Sequence, residues 1–237
     1  MSKRTALRLL LYFSGLCILA FGLTLSTKAD LGVSPIIAVS FGISQLTGAR
    51  FGDMTFLLYA SFVIIEMVLH LLPGKRAPED KKNAILVDAL QLPLSYCFTI
   101  LLNIFSSLIP SAGSMIARIA VLLVSVVLVG IGAALSLDMR IIANPGDGIV
   151  QAISDRTGIS LGLTKNIVDI SCVTLTCIFT MAAAHHIIGV GIGTLIAMLG
   201  IGRVIALFNK LFGAHLDPLV SAESADGETQ ENREGHS

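Results

Sequence analysis

The chain has 237 residues, of which 54% are hydrophobic and 14% are charged, and its mean hydropathy is +0.84. A soluble domain of this size cannot bury that much apolar surface, so the composition excludes an ordinary globular protein and indicates an integral membrane protein. Sixteen basic residues balance sixteen acidic ones, and this zero formal charge gives no reason to expect nucleic acid or an acidic partner.

Six apolar runs follow one another along the chain, each about the 20 residues that a helix needs to cross the hydrocarbon. They lie near residues 7–27, 52–72, 84–109, 115–137, 161–183 and 187–212. The first run resembles a signal peptide but lacks a small-x-small cleavage site, so we expect it to be retained as a span. The four cysteines lie within the runs without metal-like spacing, and the sequence predicts neither a metal site nor another cofactor.

An internal repeat with an offset of 110 positions organises the chain. The segment Leu31-Gly-Val-Ser-Pro35 returns as Ile141-Ile-Ala-Asn-Pro145, and ungapped identities continue on both sides of it. These identities are Gly22 with Gly132, Leu25 with Leu135, Ser26 with Ser136, Ile43-Ser44 with Ile153-Ser154, Thr47-Gly48 with Thr157-Gly158, and Gly52 with Gly162. The sequence therefore predicts two copies of one structural unit.

Each copy contains a short helix that opens at a proline, near residues 35–46 and 145–156. Proline suits the first helical position, and Ser34 and Asn144 are residue types that cap free backbone donors there. About 12 residues are too few to cross a bilayer unaided, so we expect both helices to be re-entrant or interfacial. Interrupted helices at matching places in two halves are typical of a transporter binding site.

The distribution of Lys and Arg predicts the orientation of the chain. With a cytoplasmic N-terminus, the outer loops carry only Lys28, Arg50 and Arg118, and all other basic loop residues near the spans face inward. Three spans per copy invert the second copy relative to the first. We thus predict an all-α membrane protein with two inverted repeats of three spans, residues 1–110 and 111–214, and a disordered cytoplasmic tail, residues 215–237.

Three short motifs resemble the YczE/YyaS/YitT family of bacterial integral membrane proteins over about residues 8–212. They are Leu31-Gly-Val-Ser-Pro35, Gln91-Leu-Pro93 and Val190-Gly-Ile-Gly-Thr194. The resemblance implies a multi-pass protein of the bacterial inner membrane, of a kind commonly described as a permease without an assigned substrate. It supplies no catalytic residues.

The candidate site residues fall into two groups. Opposed short helices would bring free N–H groups and positive dipole ends together near the midplane, which favours an anion or an electron-rich group of a small solute. The substrate-binding candidates are Ser34, Pro35, Asn144, Pro145 and Asp147. Ionisable side chains within spans are the second group, because charges in hydrocarbon are costly and usually face an interior or a cavity.

Asp169 is the leading ionisable candidate, with Lys165 four positions before it on the same helical face. Glu66, with His70 at the same spacing and Asp88 and Gln91 on the next span, is the alternative coupling cluster. For His70 and Asp88 the sequence favours a solvated interfacial network instead, whereas Glu66 is expected to lie deeper. For Ser34 and Asn144, the competing interpretation is that they only cap their helices.

Three classes of function fit these observations. The first is a permease for a small solute that binds near the two interrupted helices. The others are a narrow channel with opposed half-helices and a non-transporting assembly or sensor protein. An enzyme is not expected, because no zinc motif, nucleophile elbow or catalytic aspartate pair is present. The expected partners are a solute and the lipid bilayer, and a homo-oligomer is compatible with all three classes.

Overall fold

Eight α-helices make up most of the computed structural model, which describes residues 3–72 and 78–234 and contains no β-strand among them. They are α1 (Lys3–Ala29), α2 (Pro35–Thr47), α3 (Phe51–Leu71), α4 (Pro78–Leu108), α5 (Met115–Asp138), α6 (Pro145–Thr157), α7 (Leu161–Ala184) and α8 (Ile192–Glu234).

Six of these helices, α1, α3, α4, α5, α7 and α8, are long and apolar enough to cross a membrane. Large apolar side chains lie exposed on their outer surfaces, as at Ile116, Ile178 and Leu108. An apolar exterior of this extent suits lipid as the solvent. The prediction of an all-helical membrane protein with six spans is confirmed.

The last helix departs from the sequence-based expectation at both ends. It begins at Ile192 rather than near residue 187, and it continues to Glu234 through the polar stretch for which the sequence favours disorder. That stretch mixes Ala and Glu, which favour a helix, with Pro218 and Gly227, which oppose one. The disorder of residues 215–237 stays a prediction. The division of the chain near residues 110 and 214 stays a prediction.

The two halves share their local geometry at the offset of 110. The C-terminal turns of α2 and α6 are closed in the same way, because a serine hydroxyl donates over 2.7 Å to a carbonyl five residues ahead and a glycine takes the left-handed conformation at the C-cap. The serines are Ser44 and Ser154, and the glycines are Gly48 and Gly158. The inversion of one half relative to the other stays a prediction.

Helix packing follows the repeat and breaks it in one place. The equivalent helices α1 and α5 pack along each other, while α2 lies against α7 and α3, and α6 lies against α3 and α7. In the first half α4 packs against α3, but its counterpart α8 packs against α5 and barely touches α7. This difference leaves the cleft between α7 and α8 less tightly packed.

Glycines permit the close approach of α1 and α5. A Cβ added at Gly132 would clash with the backbone nitrogen of Leu19 and lie 2.8 Å from the carbonyl oxygen of Gly15. Neither backbone atom can move without separating the helices. The pair is thus held by small-residue packing of the kind that membrane helices use in place of the hydrophobic effect.

We expect Gly132→Ala to destabilise the protein by about 1–3 kcal/mol, because overpacking at a rigid contact forces backbone shifts. Gly202→Ala on α8 is the matched control, since its added Cβ meets no atom within 4 Å. The control should be neutral or stabilising, as alanine is the better helix former. Thermal unfolding of the purified variants in detergent measures both changes, and equal stability of the two would contradict this packing assignment.

Candidate solute-binding site

A cavity of about 70 Å³ lies where the first turns of α2 and α6 meet the middle of the long helices. Its lining comes from every helix except α4. The lining residues are Leu19, Leu23, Ser34, Pro35, Ile36, Ile37, Tyr59, Val129, Ala133, Asn144, Gly146, Asp147, Lys165, Asp169, Ala197, Met198, Ile201 and Ile205. Six of the eight predicted site residues therefore line one cavity. Pro145 is buried beside it without lining it, and Glu66 lies elsewhere.

The cavity is built from equivalent positions of the two repeats. At the offset of 110, Ser34 is equivalent to Asn144 and Tyr59 is equivalent to Asp169, and all four residues line the cavity. The other lining residues of α1 and α2 pair in the same way, apart from Pro35. The polar groups differ between the halves, however, because Asp147 takes the place of Ile37. The second repeat thus supplies the charges, and the first supplies apolar walls and a tyrosine.

The N-terminus of α6 is closed by its own capping residue. The backbone N–H of Gly146 donates over 3.1 Å to the side-chain oxygen of Asn144, and the N–H groups of Asp147 and Gly148 both donate over 2.8 Å to the Asn144 carbonyl. The predicted cap at Asn144 is confirmed. The expectation of free donors for a solute at this helix is wrong, since one asparagine occupies the first three N–H groups.

The N-terminus of α2 is built differently. Ser34 precedes Pro35 as predicted, but its side chain makes no capping hydrogen bond, so the capping role is wrong for this residue. The backbone before Ser34 is instead held by the loop after α7, because the N–H of Val33 donates to the carbonyl of Gly189 over 2.9 Å. Ser34 therefore presents a hydroxyl at the cavity that the helix does not use.

Three charged side chains face the cavity. The ammonium of Lys165 lies 3.8 Å from one oxygen of Asp169, so the predicted pairing of these residues is borne out by the geometry. The other oxygen of Asp169 is buried without a hydrogen-bond partner. Asp147 is half-buried, and its carboxylate accepts no hydrogen bond from the described residues. Two carboxylates thus share one ammonium, which leaves an excess negative charge.

Tyr59 is the residue that sequence reasoning missed. It is 3% exposed, stacks on Phe98 with ring centroids 6.1 Å apart, and lies beside Asn144 and Asp147. A single tyrosine in an apolar span carries no signal by itself. The repeat does carry a signal, because Tyr59 and Asp169 are equivalent residues at the offset of 110.

The alternative cluster around Glu66 forms on the facing surfaces of α3 and α4. The side-chain amide of Gln91 donates to Glu66 over 2.7 Å, and His70 pairs with Asp88 over 2.7 Å. Asp88 is 3% exposed, so the predicted solvated network is wrong for that residue, and Glu66, which is predicted to lie deeper, is 1% exposed. Its burial follows from contact with α6, where Gly148 leaves room for the carboxylate.

The glycine-rich motif after α7 joins the long helices to α2. A Cβ added at Gly191 would lie 2.6 Å from the carbonyl oxygen of Leu31, and one at Gly193 would lie 2.8 Å from that of Gly32. The Gly193 N–H donates to Leu31 over 2.7 Å. The two motifs that are far apart in the sequence therefore form one structural unit just before the start of α2.

The fold and the cavity define a multi-pass α-helical membrane protein with an internal chamber, whose largely apolar walls carry three charged side chains. A family model described as a family of unknown function, DUF6198, matches residues 6–210, and the chain belongs to that family.

Three similar proteins are described as uncharacterised. The membrane protein YczE of Bacillus subtilis is 26% identical over 168 residues, which cover 70% of this chain and 72% of that protein. YyaS of the same organism is 23% identical over 207 residues, covering 86% and 93%. A Haemophilus influenzae protein is 25% identical over 193 residues, covering 81% and 79%. These matches confirm the resemblance drawn from the motifs. No solved structure matches the chain.

Proposed function

We propose that the protein is a permease of the bacterial inner membrane that binds a small, positively charged or zwitterionic solute in the central cavity. The observation that carries the proposal is the convergence of two repeat-related short helices on one chamber that contains charged side chains. Transporters with internal repeats place their substrate sites at the repeat interface, next to interrupted helices.

The charge of the chamber sets the class of solute. Asp147 and Asp169 face it with Lys165 as their only cation among the lining residues. A solute ammonium would supply the missing donor for Asp169 and restore neutrality, whereas an anion would add a third negative charge. The unused hydroxyl of Ser34 offers a polar contact for a second group of the solute.

The chamber volume limits the size of the solute. A cavity measured in this way needs about 10–15 Å³ to hold one water molecule, so about 70 Å³ accommodates a group of only a few heavy atoms. Larger solutes require the loosely packed α7 and α8 to separate further. Such a movement is also what alternating access needs, because one wall must move relative to the rest.

Vesicle flux distinguishes the permease from the channel that is the second candidate. Proteoliposomes loaded with unlabelled amine should take up labelled amine faster than empty ones, and uptake should saturate, because a carrier exchanges solute at one site. Flux that rises linearly and shows no exchange would support a channel through the opposed half-helices. Absence of any flux from folded protein would support an assembly or sensor protein.

The inversion of the repeats, with both termini in the cytoplasm, makes a separate prediction. The exposed residues Gln45 and Asp155 are repeat-equivalent, at the ends of α2 and α6. In a background without native cysteines, Gln45→Cys should be labelled by an impermeant maleimide from outside and Asp155→Cys only from the cytoplasm. Labelling of both from one side would refute the inverted arrangement.

A further inference from the structure

The polar cluster between α3 and α4 contains more acceptors than the protein itself satisfies. One oxygen of Glu66, the side-chain oxygen of Gln91 and the hydroxyl of Ser95 are all buried without a hydrogen-bond partner. These three residues are 1–2% exposed. A buried polar atom left unpaired costs about 1–3 kcal/mol, so three of them on two packed helices call for a bound group.

These oxygens belong to side chains of two packed helices that a hydrogen bond already joins. Gln91 and Ser95 lie four residues apart on one face of α4, and Gln91 is tied to Glu66 on α3 by the 2.7 Å bond from its amide. The amide nitrogen thereby has a partner, and the buried atoms of these side chains that lack one are all oxygens. Carboxylate, amide and hydroxyl oxygens are the donors that hard cations prefer.

The charge around the cluster indicates a monovalent ion. Asp88 is the nearest other carboxylate that acts on Glu66, and it is already paired with His70. No basic side chain of the described residues pairs with Glu66, and α6 meets it with the uncharged Gly148. One uncompensated negative charge is neutralised by one positive charge, whereas a divalent ion would leave an excess in the hydrocarbon.

We propose that Glu66, Gln91 and Ser95 bind a monovalent alkali cation between α3 and α4. This site is distinct from the solute cavity, because none of the three residues lines that cavity. Glu66 lies five residues, or about 7.5 Å, from the end of α3. The cation would therefore sit nearer to one membrane surface than the solute does.

The first turn of α6 connects the two sites. Asp147 lines the solute cavity, while a Cβ added to the next residue, Gly148, would lie 2.8 Å and 2.9 Å from the two carboxylate oxygens of Glu66. A cation that fixes this carboxylate fixes the backbone against which it rests. Cation binding would thus set the position of Asp147, and this coupling step, unlike the binding site itself, rests on the proposed permease function.

Direct binding of labelled Na⁺ to the purified full-length protein tests the site without any solute. We expect saturable binding and a rise in the unfolding temperature when choline chloride is replaced by NaCl at constant ionic strength. Glu66→Gln, which keeps the shape and removes the charge, should abolish both effects. Gly148→Ala should displace the carboxylate and raise the half-saturating Na⁺ concentration on the order of ten- to hundredfold, as for changes around other metal sites.

Two control variants make the same kinds of substitution away from Glu66, Gln91 and Ser95. Ser61→Ala removes an exposed hydroxyl of α3 that bonds only its own helix, and Gly202→Ala adds a methyl group in open space. Both should bind Na⁺ as the unchanged protein does. Equal binding by wild type and Glu66→Gln would overturn the assignment. Absence of Na⁺ binding by the folded wild-type protein would also overturn the assignment. In that case, a stability that depends on pH in the wild type but not in Glu66→Gln would identify a proton as the group held there.

Discussion

Asp169→Asn should remove most of the stabilisation that a small amine gives to the protein. A ligand at one hundred times its dissociation constant stabilises a fold by about 2.7 kcal/mol. Hydrogen bonds to charged groups contribute about 1.5–3 kcal/mol, so losing the carboxylate should weaken binding about ten- to hundredfold. At the same amine concentration, a hundredfold loss would leave only about 0.4 kcal/mol.

The measurement is a thermal-unfolding screen of detergent-purified protein against amines, amino acids and small anions. Asp155→Asn is the matched control, because it is a carboxylate of the same repeat that is exposed at the far end of α6. Amine stabilisation that survives Asp169→Asn would place the solute site elsewhere. An anion that stabilises the wild type, and does so more strongly in Asp169→Asn, would refute the proposed class of solute.

The repeat explains why so much of the chamber was predictable. The prolines at 35 and 145 start their helices where the local chemistry requires, because proline costs nothing at a first helical position. Their surroundings repeat at the same offset, so both short helices are placed by one pattern. Lys165 and Asp169 were recognisable in the same local way, since four residues bring two side chains onto one helical face.

Tertiary contacts account for the expectations that failed. Sequence reasoning treated Ser34 and Asn144 alike, but only Asn144 caps its helix, while the segment before Pro35 is held by the loop after α7. Capping by Asn144 consumed the donors that were expected to attract an anion. The contact between Glu66 and α6 was equally invisible in the sequence, because it depends on a glycine that lies more than 80 positions away.

The asymmetry of the chamber is informative about function. If these positions served only the fold, similar residues in both repeats would suffice. The first repeat has the uncharged residues Ile37 and Tyr59 there. The second repeat replaces them with Asp147 and Asp169 at equivalent depths. Since charges in the hydrocarbon reduce stability, their presence at this interface is better explained by a ligand than by the fold.

The pair of Lys165 and Asp169 provides the strongest test of that argument. Lys165→Met should destabilise the protein, because it leaves the buried carboxylate of Asp169 without its cation. Breaking a buried pair costs about 3–5 kcal/mol, and we expect about 1–3 kcal/mol here because the Lys165 side chain is 35% exposed and its separation from Asp169 is 3.8 Å. Unfolding midpoints in detergent report the change.

The double variant Lys165→Met with Asp169→Leu should recover the lost stability and reach or exceed that of the wild type. Apolar replacements of a buried ion pair are often neutral or stabilising by about 1–4 kcal/mol, because neither charge then has to leave water. The same variant should no longer be stabilised by any amine. A double variant that is less stable than Lys165→Met would contradict this account, because the carboxylate of Asp169 would then stabilise the fold even without its cation. A stable double variant without ligand response would mean that the fold tolerates loss of these charges and that binding requires them.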